Sequence, residues 1–154
     1  MTAIKFYRIA HALYLKHVPF LPKFFYRLIY LVNNCHVHYA TEIGERTTIA
    51  YGGVAVVIHK DAVIGKGCVI ESNVTIGGRN NVPVAPVIGD NGFIGTGARI
   101  LGNVHVGSGS IIGANAVVLH DVPERCSVAG MPARILHENI DIDEKCNLRE
   151  ITGK

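Results

Sequence analysis

From Ile58 onward the chain carries a branched aliphatic residue at every sixth position: Ile64, Ile70, Ile76, Val82, Ile88, Ile94, Ile100, Val106, Ile112 and Val118. That spacing is neither the helical period of about 3.6 residues nor the strand period of about 2. Glycine follows the marked residue in Ile64-Gly65, Ile76-Gly77, Ile88-Gly89, Ile94-Gly95, Val106-Gly107 and Ile112-Gly113, and small residues recur four places on as Ala62, Cys68, Gly92, Ala98, Ser110 and Ala116. A coil with three flat faces satisfies the pattern. Each face is one six-residue rung whose aliphatic residue points inward, and the corner beyond it needs a small side chain. Stacked rungs then pair their backbones in parallel ladders around a continuous aliphatic column. The sequence therefore predicts an all-β solenoid, a parallel β-helix.

Two irregularities break the count. Ile43-Gly44 and Ile49 keep the six-residue step but stand out of phase with Ile58, so about three extra residues lie in Ala50-Tyr51-Gly52-Gly53-Val54. The segment 77–86 holds Gly77, Gly78, Asn80, Asn81, Pro83 and Pro86, which predicts a loop leaving the coil even though Val82 keeps the period. Loops held on a rigid scaffold are where binding groups concentrate. Ahead of the coil, residues 1–34 read as a helical cap in two pieces. Ile4, Tyr7, Leu13 and Tyr14 form one stripe, Pro19 and Pro22 break the chain, and Phe24, Phe25, Leu28, Ile29 and Val32 form the second. The β-helical domain is expected over 35–136, and the acidic tail 137–154 is expected to lie on the surface or fray.

Composition narrows the class. Of 154 residues, 49% are hydrophobic and 18% charged, with 17 glycines, a profile that fits neither a bundle of amphipathic helices nor a disordered chain. No apolar run approaches the roughly 18 residues that span a bilayer, and no signal-peptide pattern opens the sequence, so the cytoplasm is the expected location. A formal charge of +3 is too small to imply nucleic-acid binding. Its distribution is uneven. Residues 1–30 contain Lys5, Arg8, Lys16, Lys23 and Arg27 with no acidic residue. Besides capping the open solenoid end, this segment could touch an anionic surface at the inner face of a membrane, a peripheral location. The cysteines Cys35, Cys68, Cys126 and Cys146 are widely spaced without a zinc-site pattern, which predicts packed thiols and no metal.

The rung pattern, followed by Gly130-Met131-Pro132-Ala133-Arg134 after the last repeat, resembles the hexapeptide-repeat acyltransferases of the left-handed β-helix fold, closest to serine acetyltransferase-like and polysaccharide O-acetyltransferase proteins. The resemblance covers roughly residues 35–136. It implies a left-handed coil, a homotrimer, and acetyl-CoA held as co-substrate in the groove between neighbouring coils, with no metal. It also implies attack of an acceptor hydroxyl on the thioester, assisted by a general base and by N–H donors to the oxyanion.

In such proteins a histidine opens the segment that corresponds here to Tyr51-Gly52-Gly53-Val54-Ala55-Val56-Val57-Ile58-His59, so Tyr51 stands at the base position. A phenol with a pKa near 10 keeps its proton at neutral pH, whereas imidazole near 6.5 can accept one. The catalytic candidates are therefore His36, which takes the place of the aspartate that orients the base, together with His38, His59 and Tyr51 itself as a substrate-contacting hydroxyl. For His59 a solvated turn is the plainer reading, and for His36 function and packing stand level. Coenzyme contact is expected from Gly95, Thr96, Ala98, Gly113 and Ala114, with Arg134 suited to a phosphate, although the small residues also suit a tight corner. The histidine that serine acetyltransferases carry before a proline is Ala85 here, ahead of Pro86. The expected function is acetyl-CoA-dependent O-acetylation of a sugar, a polysaccharide precursor or a serine-like small acceptor. The alternative is a catalytically degenerate trimer that binds CoA or a partner.

Overall fold

A computed structural model describes residues 2–79 and 84–146. Short parallel strands stack into three sheets that form the faces of a prism. The first holds His36–Val37, Val57–Ile58, Thr75–Gly77, Arg99–Leu101 and Val117–Val118; the second holds Glu42–Ile43, Val63–Ile64, Val87–Ile88 and His105–Val106. In the third, Thr48–Ile49, Val69–Ile70, Phe93–Ile94, Ile111–Ile112 and Ser127–Ala129 run parallel, and Arg134–His137 returns antiparallel beside the last. The periodicity is thus a register. Ile58 lies beside Ile76, three rungs later, and Ile100 lies beside Val118.

The aliphatic column is buried throughout, with Ile70, Ile76, Ile94, Ile100 and Ile112 at 0% exposure. The small residues four places on, including Ala62, Cys68, Ala98, Ser110 and Ala116, are buried at the corners beside it. Both interruptions are visible in the pairing. Val37 faces Ile58 with three residues more than three rungs between them, and Ile76 faces Ile100 with a whole rung more. The strand that ends at Gly77 is followed, among the described residues, by the strand Val87–Ile88. Val82 and its neighbours from 80 to 83 lie outside the described residues.

Two helices, α1 (Ala3–Leu15) and α2 (Leu21–Asn33), cover the first coil. The break between them holds Pro19, as the sequence predicts, whereas Pro22 lies in the first turn of α2 instead of in the break. Tyr7 and Ile29 join the same core as the isoleucine column. The Tyr7 hydroxyl donates to the Thr41 carbonyl at 2.5 Å, and Arg8 donates to the carbonyls of Ile43 and Gly44 at 2.5 and 2.6 Å. The expected second stripe is only partly inward. Pro22 and Ile29 are buried while Phe24 and Val32 are exposed, because α2 leans on the coil along one narrow line.

The tail also departs from expectation. The Ile140 amide donates to the Arg125 carbonyl at 2.9 Å, and Ile140 is buried ahead of a short helix, α3 (Ile142–Cys146). Cys35, Cys68 and Cys126 are buried free thiols, and desolvation pushes Cys35 up to about 12.

Candidate active site

The prism has three edges, and the candidate residues do not share them equally. The edge between the third and first sheets carries the corners after Ile49, Ile70, Ile94 and Ile112. Its corners are stitched one above the next: the Asn73 amide donates to the Val54 carbonyl at 2.9 Å, Gly97 to Ser72 at 3.0 Å and Asn115 to Thr96 at 2.8 Å. Tyr51 stands at the bottom of this edge, Gly95 and Thr96 at its middle, and Gly113 and Ala114 above them. Ala129 stacks over Gly113 and pairs with Arg134. At roughly 4.8 Å per step, the five steps from Tyr51 to Arg134 span roughly 24 Å. His36 opens the lowest strand of the first sheet, directly beside this edge.

Tyr51 is held by the inserted residues. It adopts a left-handed conformation (φ 50°, ψ 33°) inside a short 3-10 segment, Ala50–Gly53, and the residue is 71% exposed. Gly53 follows at φ +90°, and a Cβ there would sit 2.9 Å from the Ala3 Cβ and 3.2 Å from the Cys35 Sγ. Only glycine lets the loop tuck between α1 and the first strand. The loop that carries Tyr51 is therefore fixed by the helical cap.

His36 is framed by α2. The Tyr26 hydroxyl lies 3.1 Å from His36 Nδ1, and the Tyr30 ring packs with centroids 4.6 Å apart. Tyr26 is the participant that sequence reasoning missed, since it belongs to another element and its spacing signals only packing.

His38 and His59 lie elsewhere. The register that sets Val37 beside Ile58 brings these two together at the edge between the first and second sheets, with Lys60 and Asp61. Desolvation and then the Lys60 charge lower the His38 pKa, which keeps the ring neutral. Its Nδ1 accepts the Ala40 amide at 3.1 Å, and His59 Nδ1 accepts the Asp61 amide at 3.3 Å. An Nδ1 that accepts places the proton of a neutral imidazole on Nε2, so both rings present donors. His36 differs because its Nδ1 neighbour is a hydroxyl, able to accept as well as donate. With Nδ1–H donated to Tyr26, Nε2 holds a free lone pair.

Among the coenzyme candidates, Gly95 has a packing reason: a Cβ would lie 2.8 Å from the Ala114 amide nitrogen of the next coil. Thr96 is engaged within the chain, donating its amide (3.0 Å) and hydroxyl (2.6 Å) to Glu71 Oε2, a partner the sequence did not signal. Ala98 points into the prism at 0% exposure, so its methyl has no route to a ligand. Ala114 is exposed, and Arg134 is exposed with Nη1 donating to the Ala133 carbonyl at 3.0 Å. Along the third edge, between the second and third sheets, a groove of about 580 Å³ is lined by residues that include His11, Glu42, Lys66 and Asp90. Its histidine is tied by Nδ1 to the Tyr39 carbonyl at 2.8 Å. Among the described residues no group of three or more His, Cys, Asp or Glu side chains is placed to hold a metal ion.

Residues 85–120 match the bacterial transferase hexapeptide family of six repeats. The chain is 39% identical to a serine acetyltransferase of Bacillus subtilis over 141 residues, which is 90% of this chain and 64% of that protein. A crystal structure of a Vibrio cholerae serine acetyltransferase superposes with a TM-score of 0.84 at 34% identity, covering 92% of this chain and 55% of the other. A serine acetyltransferase in complex with CoA superposes with a TM-score of 0.79 at 36% identity, covering 87% and 55%. The chain thus spans between half and two thirds of the length of the relatives it matches. Taken with the stacked rungs, the buried aliphatic column and the closing Gly-x-Pro-Ala-Arg hairpin, these likenesses place the chain in the hexapeptide-repeat acyltransferase family.

Proposed function

We propose that the protein is an acetyl-CoA-dependent O-acetyltransferase whose donor lies along the edge from Arg134 to Tyr51. One observation carries the reading: His36, Tyr51, Gly95, Gly113, Ala114 and Arg134, scattered in sequence, line a single edge of the prism. The names of the relatives, serine acetyltransferases with one in complex with CoA, support the choice of donor. In this arrangement the guanidinium of Arg134 takes a phosphate of the coenzyme. The narrow corners admit its slender arm, and the thioester reaches the Tyr51 and His36 end. A second prism closes the groove in a homotrimer.

The acceptor hydroxyl oxygen attacks the thioester carbonyl, and its proton passes to Nε2 of His36 while Tyr26 holds Nδ1–H. The C–O bond forms, the C–S bond breaks, and the leaving thiolate takes the proton back. The Tyr51 phenol donates to the acceptor or to the developing oxyanion. No metal enters this step.

A serine-type acceptor is favoured by the relatives. A sugar hydroxyl is favoured by position 85, where the buried Ala85 offers no imidazole to an amino acid. The test is thiol release from acetyl-CoA with L-serine in one arm and simple sugars in the other. Release that depends on an acceptor and falls in His36→Ala supports the reading, and the arm that responds names the acceptor class. Silence in every arm, with CoA still bound, would replace it with the degenerate solenoid.

A further inference from the structure

The helical cap does more than close the coil. α2 buries Pro22 and Ile29 against the core and turns Tyr26 and Tyr30 toward His36, which accounts for two of its faces. A third face has no partner among the described residues. Leu21, Phe24, Leu31 and Val32 are 45%, 59%, 77% and 59% exposed. At about 100° per residue, these four and the half-buried Leu28 fall within an arc of about 100°. Phe20, 85% exposed, and Leu15 extend the patch at the tip of the hairpin. A contiguous apolar arc on one helix is not the scattered apolar exposure of an ordinary surface.

Charge identifies what fits this face. Lys23 and Arg27 border the arc on one side, Lys16 stands at the hairpin tip, and no Asp or Glu occurs before Glu42. A second copy docking through the same face would be self-complementary and would set Lys23 and Arg27 against their own likes with no acid to answer them. An anionic bilayer answers both features, taking the apolar arc into its interface and the flanking cations to its headgroups. We infer that α2 is a membrane-surface anchor that seats the protein peripherally on anionic lipid. No described helix is long and apolar enough to cross a membrane, so the contact lies in the interface plane. The inference stands apart from the acetyl-transfer reading, since it uses the face of α2 opposite the coil.

Sedimentation of the full chain with vesicles tests it. The chain is expected to pellet with vesicles containing phosphatidylglycerol, to bind pure phosphatidylcholine weakly, and to be released by about 0.5 M salt, where charges are screened beyond a few ångströms. Leu31→Ser and Phe24→Ser each remove a large exposed apolar group, and each is expected to weaken partitioning by on the order of tenfold. Lys23→Glu combined with Arg27→Glu should abolish the preference for anionic lipid. All four positions are exposed, so the thermal unfolding midpoint should stay unchanged, confirming that the variants fold. Failure of the parent chain to pellet with anionic vesicles would overturn the proposal, as would pelleting that ignores the serine substitutions. An assembly that dissociates in Leu31→Ser without any vesicle binding would assign the face to a second copy instead.

Discussion

The tautomer of one imidazole decides what this edge can do. His38 and His59 accept backbone amides at Nδ1 and so point N–H groups outward, while His36 faces a phenol that can take its Nδ1 proton. Substituting His36 by alanine is expected to lower the rate of thiol release by about 10²–10⁴, with His38→Ala and His59→Ala much milder. Tyr26→Phe should lower kcat by about tenfold, the scale of one lost orienting hydrogen bond of roughly 1.4 kcal/mol. It should also alter the pH dependence of kcat, which a purely packing role would not do. Tyr51 pays for its placement with a left-handed backbone, so Tyr51→Gly is expected to raise stability by about 1 kcal/mol, read as a higher unfolding midpoint. His36 and Tyr51 were legible in the sequence because each replaces a residue type that the family pattern fixes. Tyr26 and Glu71 were not, because each acts on a residue distant along the chain (His36 and Thr96), and no spacing rule marks such a pair.

At the level of elements, the helical cap and the first coil form one structural unit. Removing the Tyr7 hydroxyl strands the buried Thr41 carbonyl, and Tyr7→Phe should cost about 1–3 kcal/mol in chemical denaturation. The same region predicts an alkaline limit. Burial pushes Tyr7 from its ordinary value of 10 up to about 12, with the Arg8 charge opposing, and pushes Cys35 from 9 up to about 12. Both groups stay protonated in the folded chain while the unfolded chain ionises. Their contribution is complete below about pH 9 and is lost as pH rises toward 12. The unfolding midpoint should therefore fall above pH 9, and Tyr7→Phe should flatten the part of that fall above pH 10. The two helices and their proline break were readable from periodicity. Which arc of α2 faces the coil was not, since Pro22 with Ile29 and Phe24 with Val32 are both apolar sets at helical spacing.

For the molecule as a whole, the six-residue phase was almost sufficient. It gave the column, the corners and the interruption at 50–54, because one inward side chain per face is a geometric demand that every rung must meet, while the loop at 77–86 was legible only from its Gly, Asn and Pro residues. It could not show that Val82 keeps the count while Ile76 pairs past it to Ile100, since an excursion of one whole rung leaves the period unchanged. Nor could it bury Ile140, whose partner at Arg125 lies beyond the repeats. The stacked edges assemble seven sequence candidates beside one another, and that assembly is the basis of the proposed chemistry. Crystals grown with CoA test it most directly. The account predicts the coenzyme extended along the edge between the third and first sheets, with a phosphate at Arg134 and the thiol beside Tyr51 and His36. CoA seated instead along the edge that carries His38 and His59, or in the groove lined by Lys66 and Asp90, would contradict it.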